Sequence, residues 1–216
     1  MSVIYSNTSN VEIEPALSGF DAIKRYWDRH QNAIVARILP GEFYVTKHDE
    51  AVTTVLGSCV SACVRDRIYK IGGMNHFMLP VSLRKEGDSS PRGPSNSAIY
   101  GNYAMESLIN AILTNGGRRE NLEVKLVGGG RVLTEMNNIG RLNIAFIRDY
   151  VETEHLKLLA EDLGSTFPRK VAYFPATGRL RVKKMAGMHH KEVVTREETY
   201  KHTIEKQDVK TDIELF

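Results

Sequence analysis

Between residues 42 and 79 the chain offers four short runs rich in β-branched and aromatic residues, cut apart by small residues: Glu42 to Thr46, Ala51 to Leu56, Cys59 to Val64 and Ile71 to Leu79. Pro40-Gly41, Gly57-Ser58 and Gly72-Gly73 punctuate them, so the segment reads as consecutive strands joined by tight turns. Helical periodicity follows. Ala104, Leu108, Ile112 and Leu113 form one stripe from about Ser97 to Thr114, stopped by Asn115-Gly116-Gly117. A strand from Leu122 to Val127 runs into Gly128-Gly129-Gly130, the stretch 143–161 mixes an apolar run with a second helix, and Val171 to Met185 reads as a hairpin turning at Ala176-Thr177-Gly178. Strands and helices interleave, which predicts an α/β (α+β) fold with mixed sheets.

Length and charge bound the function. At 216 residues the chain can build one sizeable core, and 42% hydrophobic with 25% charged residues is ordinary for a globular protein. With 29 basic against 26 acidic side chains the net charge is +3, a small electrostatic footprint for nucleic acid, and no nucleic-acid signature accompanies it. No apolar run approaches the roughly 18 residues of a membrane span, and Glu12 and Glu14 stand where a signal peptide needs an apolar core. The expectation is a cytoplasmic protein without membrane insertion.

Three segments follow from the texture. Residues 1–37 are an extension in which Phe20, Ile23, Tyr26 and Trp27 recur at helical spacing, predicting a short amphipathic helix that either docks on the core or binds a partner. Residues 38–186 are the folded domain, interrupted by a Pro/Gly/Ser-rich loop from Val81 to Ser97. Residues 187–216 are charged and apolar-poor, and read as a solvated or loosely docked extension or a partner-binding segment.

Two cysteines cannot make a disulfide framework. Four residues apart on one strand they stand about 13 Å apart, too far for a bridge, and Cys63 reads as a packing residue. Cys59 and His76 fall on neighbouring strands of a hairpin. If that hairpin turns at Arg67-Ile68, the two residues oppose each other, which brings a thiol to an imidazole. Such a pair has a chemical use, because the thiolate is the nucleophile and an adjacent imidazolium lowers the thiol pKa. A hydroxyl would orient the ring; Thr53 and Thr54 both lie on the preceding strand, and their opposite parity lets only one face the site. A buried packing cysteine explains the same residues without chemistry.

Other conspicuous features carry less. Gly128-Gly129-Gly130 lacks the Lys-Ser/Thr of a phosphate loop and reads as a tight turn with close backbone approach. Arg179, Arg181 and Lys183 alternate with Leu180 and Val182, as on a strand with one solvated face, or form a docking surface for acidic helices. His189-His190 lacks ligand-spaced companions, so no metal site is assigned.

The runs Leu39-Pro40-Gly41-Glu42-Phe43-Tyr44-Val45-Thr46, Thr53 through Asp66 with Gly57-Ser58-Cys59, and Gly72 through Pro80 with Asn75-His76 together resemble the CheD family of chemoreceptor glutamine deamidases. Gly128-Gly129-Gly130, Asn138 through Asn143, Ala160 through Gly164 and Pro175 through Arg179 extend the resemblance over residues 38 to 185. It implies a layered α/β sandwich with mixed β-sheets, similar to toxin-type cysteine deamidase domains. It also implies a cysteine hydrolase that converts glutamine side chains of methyl-accepting chemotaxis receptors to glutamate and ammonia. The family's nucleophile falls on Cys59, its histidine on His76, and its threonine, six residues before the cysteine, on Thr53; neither cofactor nor metal is implied. Backbone amides near Gly57-Ser58-Cys59 are the natural oxyanion donors. Receptors would be the substrate partners and a CheC-type phosphatase a further one, so a non-catalytic adaptor or regulator is the alternative reading. An unrelated thiol hydrolase of small amides is a third.

Overall fold

A computed structural model of the chain describes residues 12–80, 96–132, 137–185 and 189–206. Most of the loop expected from Val81 lies outside these residues. Among the described residues ten strands form two five-stranded sheets, both mixed, which fits the expected α+β fold with mixed sheets. The first sheet contains β1 (Lys24–Asp28), β2 (Ala33–Arg37), β4 (Glu50–Leu56), β9 (Arg169–Phe174) and β10 (Arg179–Lys184), in the order β1-β2-β4-β9-β10. The second contains β3 (Phe43–Thr46), β6 (Gly72–Asn75), β5 (Val60–Asp66), β7 (Leu122–Gly128) and β8 (Lys157–Leu163), in that spatial order. Helices α1 (Asn96–Thr114) and α2 (Asn137–Thr153) pack on the second sheet, and α3 (His189–Lys206) follows β10. Among the described residues no helix is long and apolar enough to cross a membrane.

The main core joins both sheets: Ala36, Val52, Leu56, Val171 and Tyr173 from the first pack with Val60, Ala62, Met74, Val124 and Leu126 from the second. Period-two alternation sends the neighbouring side chains the other way. Val35, Ala51, Ala172 and Phe174 form a separate cluster on the far side of the first sheet. This two-sidedness of β4 decides which threonine meets the histidine.

One expectation changes, and two are made specific. The amphipathic helix of residues 1–37 is instead strand β1, paired antiparallel with β2 (Tyr26↔Val35) across a turn in which Asn32 takes a left-handed φ of 51°. Phe20 is buried as expected, but it precedes the strand and packs edge-on against Phe43 and Tyr44. In the stretch 143–161 the helix comes first and its last residues belong to β8, which pairs parallel with β7. The charged C-terminal segment contains a docked helix, α3, with Val193, Glu197 and Ile204 buried.

Candidate functional site

The hairpin that carries Cys59 and His76 is shifted by two residues from the expected register. β5 and β6 pair Cys63↔Met74, Val64↔Gly73 and Arg65↔Gly72, and Val60 bridges Phe77. The cause is the turn. Asp66 accepts from the N–H groups of Ile68 and Tyr69, and Asp66 N–H bonds Ile71 O, which closes a four-residue loop with Lys70 at φ 58°. A two-residue shift preserves the face, so Cys59 and His76 become diagonal instead of directly opposed neighbours. Their reactive atoms still meet: Cys59 Sγ, a His76 ring nitrogen and a carboxylate oxygen of Glu197 lie within 4.8 Å of one another.

His76 is held at both ends. Its N–H donates to Glu42 O (2.9 Å) and its carbonyl accepts from Gly41 N–H (2.8 Å). Thr54 Oγ1 donates its single proton to the Ile38 carbonyl (2.9 Å), so toward the ring it acts as acceptor, 2.8 Å from Nδ1. The proton therefore sits on Nδ1, and Nε2, which has no hydrogen-bond partner among the described residues, is the basic nitrogen.

Thr53 does not take this place. Its hydroxyl donates to Val171 O (2.6 Å), within the first sheet, and its side chain shares the parity of Ala51, on the far side from His76. The alternation of β4 makes the two threonines exclusive, and Thr54 is the one that touches the imidazole.

The Gly57-Ser58-Cys59 loop has its carbonyls pulled outward. Gly130 N–H bonds Gly57 O (2.7 Å), Asn143 Nδ2 donates to Ser58 O (2.8 Å), and Gly129 N–H bonds Cys59 O (2.7 Å). The glycine run makes this approach possible: Gly128 has φ +114°, and a Cβ there would stand 2.3 Å from Cys59 O. With the carbonyls fixed on one side, the three N–H groups converge on the other, as in an anion-binding nest. A carboxylate fills it. Glu197 accepts from Gly57 N–H (2.8 Å), Ser58 N–H (2.7 Å), Cys59 N–H (3.1 Å) and Ser58 Oγ (2.6 Å). At Gly57 a Cβ would lie 2.7 Å from that carboxylate, so glycine is what lets it approach.

The electrostatics follow from burial. Cys59 is 0% exposed and His76 and Glu197 are each 1% exposed. Burial pushes the Cys59 thiol well above its ordinary range, and the Glu197 carboxylate beside it adds to the shift through charge and a hydrogen bond. Burial, aided by the charge of Arg196, lowers His76 to about 3. In this arrangement the pair is a neutral thiol and a neutral imidazole. Cys63 is a buried free cysteine in the core, as expected from its spacing.

The structure brings Cys59, His76 and the N–H groups of residues 57–59 together, and it adds Glu197, which the sequence did not single out. The available signal was the stripe Val193, Glu197, Tyr200 and Ile204 at i, i+4, i+7 and i+11, with an acid among apolar positions.

Comparison with known proteins points to one family. The family described as CheD chemotactic sensory transduction matches residues 78–184. A probable chemoreceptor glutamine deamidase CheD of Halorhodospira halophila is 52% identical over 206 residues, covering 95% of each chain. The protein of the same description from Hydrogenovibrio crunogenus is 51% identical over 180 residues, 83% of this chain and 93% of the relative. That from Saccharophagus degradans is 42% identical over 213 residues, 98% of each. Identity of this extent over nearly the whole length shows that the chain belongs to the CheD family.

Proposed function

We propose that the protein hydrolyses glutamine side chains of chemoreceptors to glutamate and ammonia, with Cys59 as nucleophile. One observation carries this reading: a thiol lies beside an imidazole whose Nδ1–H is fixed by Thr54, and both adjoin a nest of three backbone N–H groups that suits an oxyanion. His76 Nε2 takes the Cys59 proton as Sγ bonds to the carboxamide carbon. The tetrahedral oxygen accepts from the N–H groups of residues 57–59. The C–N bond breaks, the nitrogen leaves with the proton held by His76, and a thioester remains. Water, deprotonated at Nε2, attacks the same carbon, and the C–S bond breaks to give glutamate and the free thiol. Thr54, in place of the expected Thr53, is the positioning residue.

The test is mass spectrometry of a purified receptor cytoplasmic domain incubated with the protein. Site-specific glutamine-to-glutamate conversion is expected, and Cys59→Ala abolishes it. Absence of conversion with a reduced, folded protein overturns the reading. The burial of Cys59 and His76 favours the second reading, an adaptor that binds receptor helices or a CheC-type phosphatase; there, Cys59→Ala leaves partner binding and signalling unchanged.

A further inference from the structure

Cys59 is fully buried among the described residues, and Glu197 of α3 lies against it. The way it does so is specific. Glu197 presents, from a helix, the γ-carboxylate of the product of deamidation, and it is seated on the donors that the reaction's oxyanion needs. Among the described residues no ion pair reaches this buried carboxylate. Its charge is met by three backbone N–H groups, one hydroxyl and the neighbouring Cys59 thiol, a set that fits a carboxylate better than an amide, whose N–H₂ would face the Ser58 N–H. The rest of the stripe anchors the helix on either side. Val193 stands four residues before Glu197, and Tyr200 and Ile204 three and seven after. The Tyr200 hydroxyl bonds that of Tyr100 on α1 and lies over the Gly41 turn.

We propose that α3 is an internal product mimic. It fills the seat of a substrate helix, so that receptor glutamine reaches Cys59 only when α3 moves out. The same groove then accepts an α-helical segment whose glutamine takes the place of Glu197, with apolar residues four before it and three and seven after it. This rests on the reading of Cys59 as a deamidase nucleophile, and it adds both the shape of the substrate and a control on access. Beside α3 an open cleft of about 720 Å³, lined by Leu39, Pro40, Arg196 and Thr199 among others, gives an incoming helix a place to start.

The test uses the full-length protein and two readouts: the rate at which iodoacetamide modifies Cys59, mapped by peptide mass, and the rate of receptor glutamine conversion. Glu197→Ala removes the hydrogen bonds that seat α3 on the loop, so about a tenfold or greater rise in alkylation is expected, with conversion rising in the same sense. Ile204→Ala trims the anchor away from the thiol; it carries the test if Glu197→Ala does not fold, and a smaller rise in both rates is expected. Unchanged alkylation in both folded variants overturns the proposal. So does loss of conversion in Glu197→Ala at unchanged alkylation, which makes Glu197 a catalytic group. A zinc ion retained in the native mass spectrum and lost with Glu197 overturns it in favour of a metal centre. Faster alkylation without conversion in any variant supports α3 as the cover and overturns the deamidase reading instead.

Discussion

The loop that carries Cys59 and the helix that covers it are held by opposite means. The loop is tied through its own carbonyls, gripped by the N–H groups of Gly129 and Gly130 and by the Asn143 side chain, and behind them stands a core shared by two sheets. The helix is held by side chains at four positions along one stripe, and its central contact is polar. A binding nest must keep its donors aimed before any ligand arrives, since preorganised donors need no rearrangement during reaction. A cover must be able to leave. Rigidity and removability are thus assigned to different parts of the chain.

The largest loss is expected from the loop. Asn143 is fully buried and bonds Ser58 O and Leu79 N–H together. Asn143→Ala leaves both unsatisfied and is expected to cost about 2 to 4 kcal/mol in urea unfolding, with loss of activity. The two threonines of β4 differ next in effect. Thr54→Val frees the imidazole and is expected to lower kcat roughly tenfold to a hundredfold at little change in KM. Thr53→Val is expected to leave kcat near the wild-type value, its cost confined to about 1 kcal/mol of stability.

Acid tests the burial that the cover imposes. His76 is lowered from 6.5 to about 3, so below pH 6.5 the unfolded chain binds a proton that the folded one refuses. Its contribution is present above 6.5 and lost as pH falls toward 3, on the order of 2 kcal/mol by pH 5. His76→Gln should remove that part of the slope in a pH series of denaturant melts. The smallest effect is expected from Tyr200→Phe, which deletes the bond to Tyr100: alkylation of Cys59 rises a fewfold while the melting temperature stays within a few degrees of wild type.

The strands around the site were legible because each alternates or clusters β-branched residues between glycine punctuation. The register was not, because it depends on Asp66 bonding two backbone N–H groups inside a four-residue loop, and a single aspartate does not announce its loop length. Trp27 and Tyr26 sit at spacings shared by a helix face and by a short edge hairpin; pairing with β2 decided the matter. Thr53 and Thr54 differ only in parity, which is fixed once one face of β4 meets the second sheet. Glu197 stayed hidden for a different reason. An acid in a charged segment reads as solvated, and only the three-dimensional convergence of three N–H groups makes burial of a carboxylate tolerable there.

That α3 belongs to the same chain sets the terms on which anything can replace it. A tethered ligand competes at an effective concentration on the order of millimolar, whatever the concentration of the protein. Free glutamine or a dilute peptide is a weak rival on that scale. Receptors crowded side by side, presenting many helices to one enzyme, are a strong one. The intramolecular helix thus makes the local density of substrate, beyond its identity, a condition for turnover.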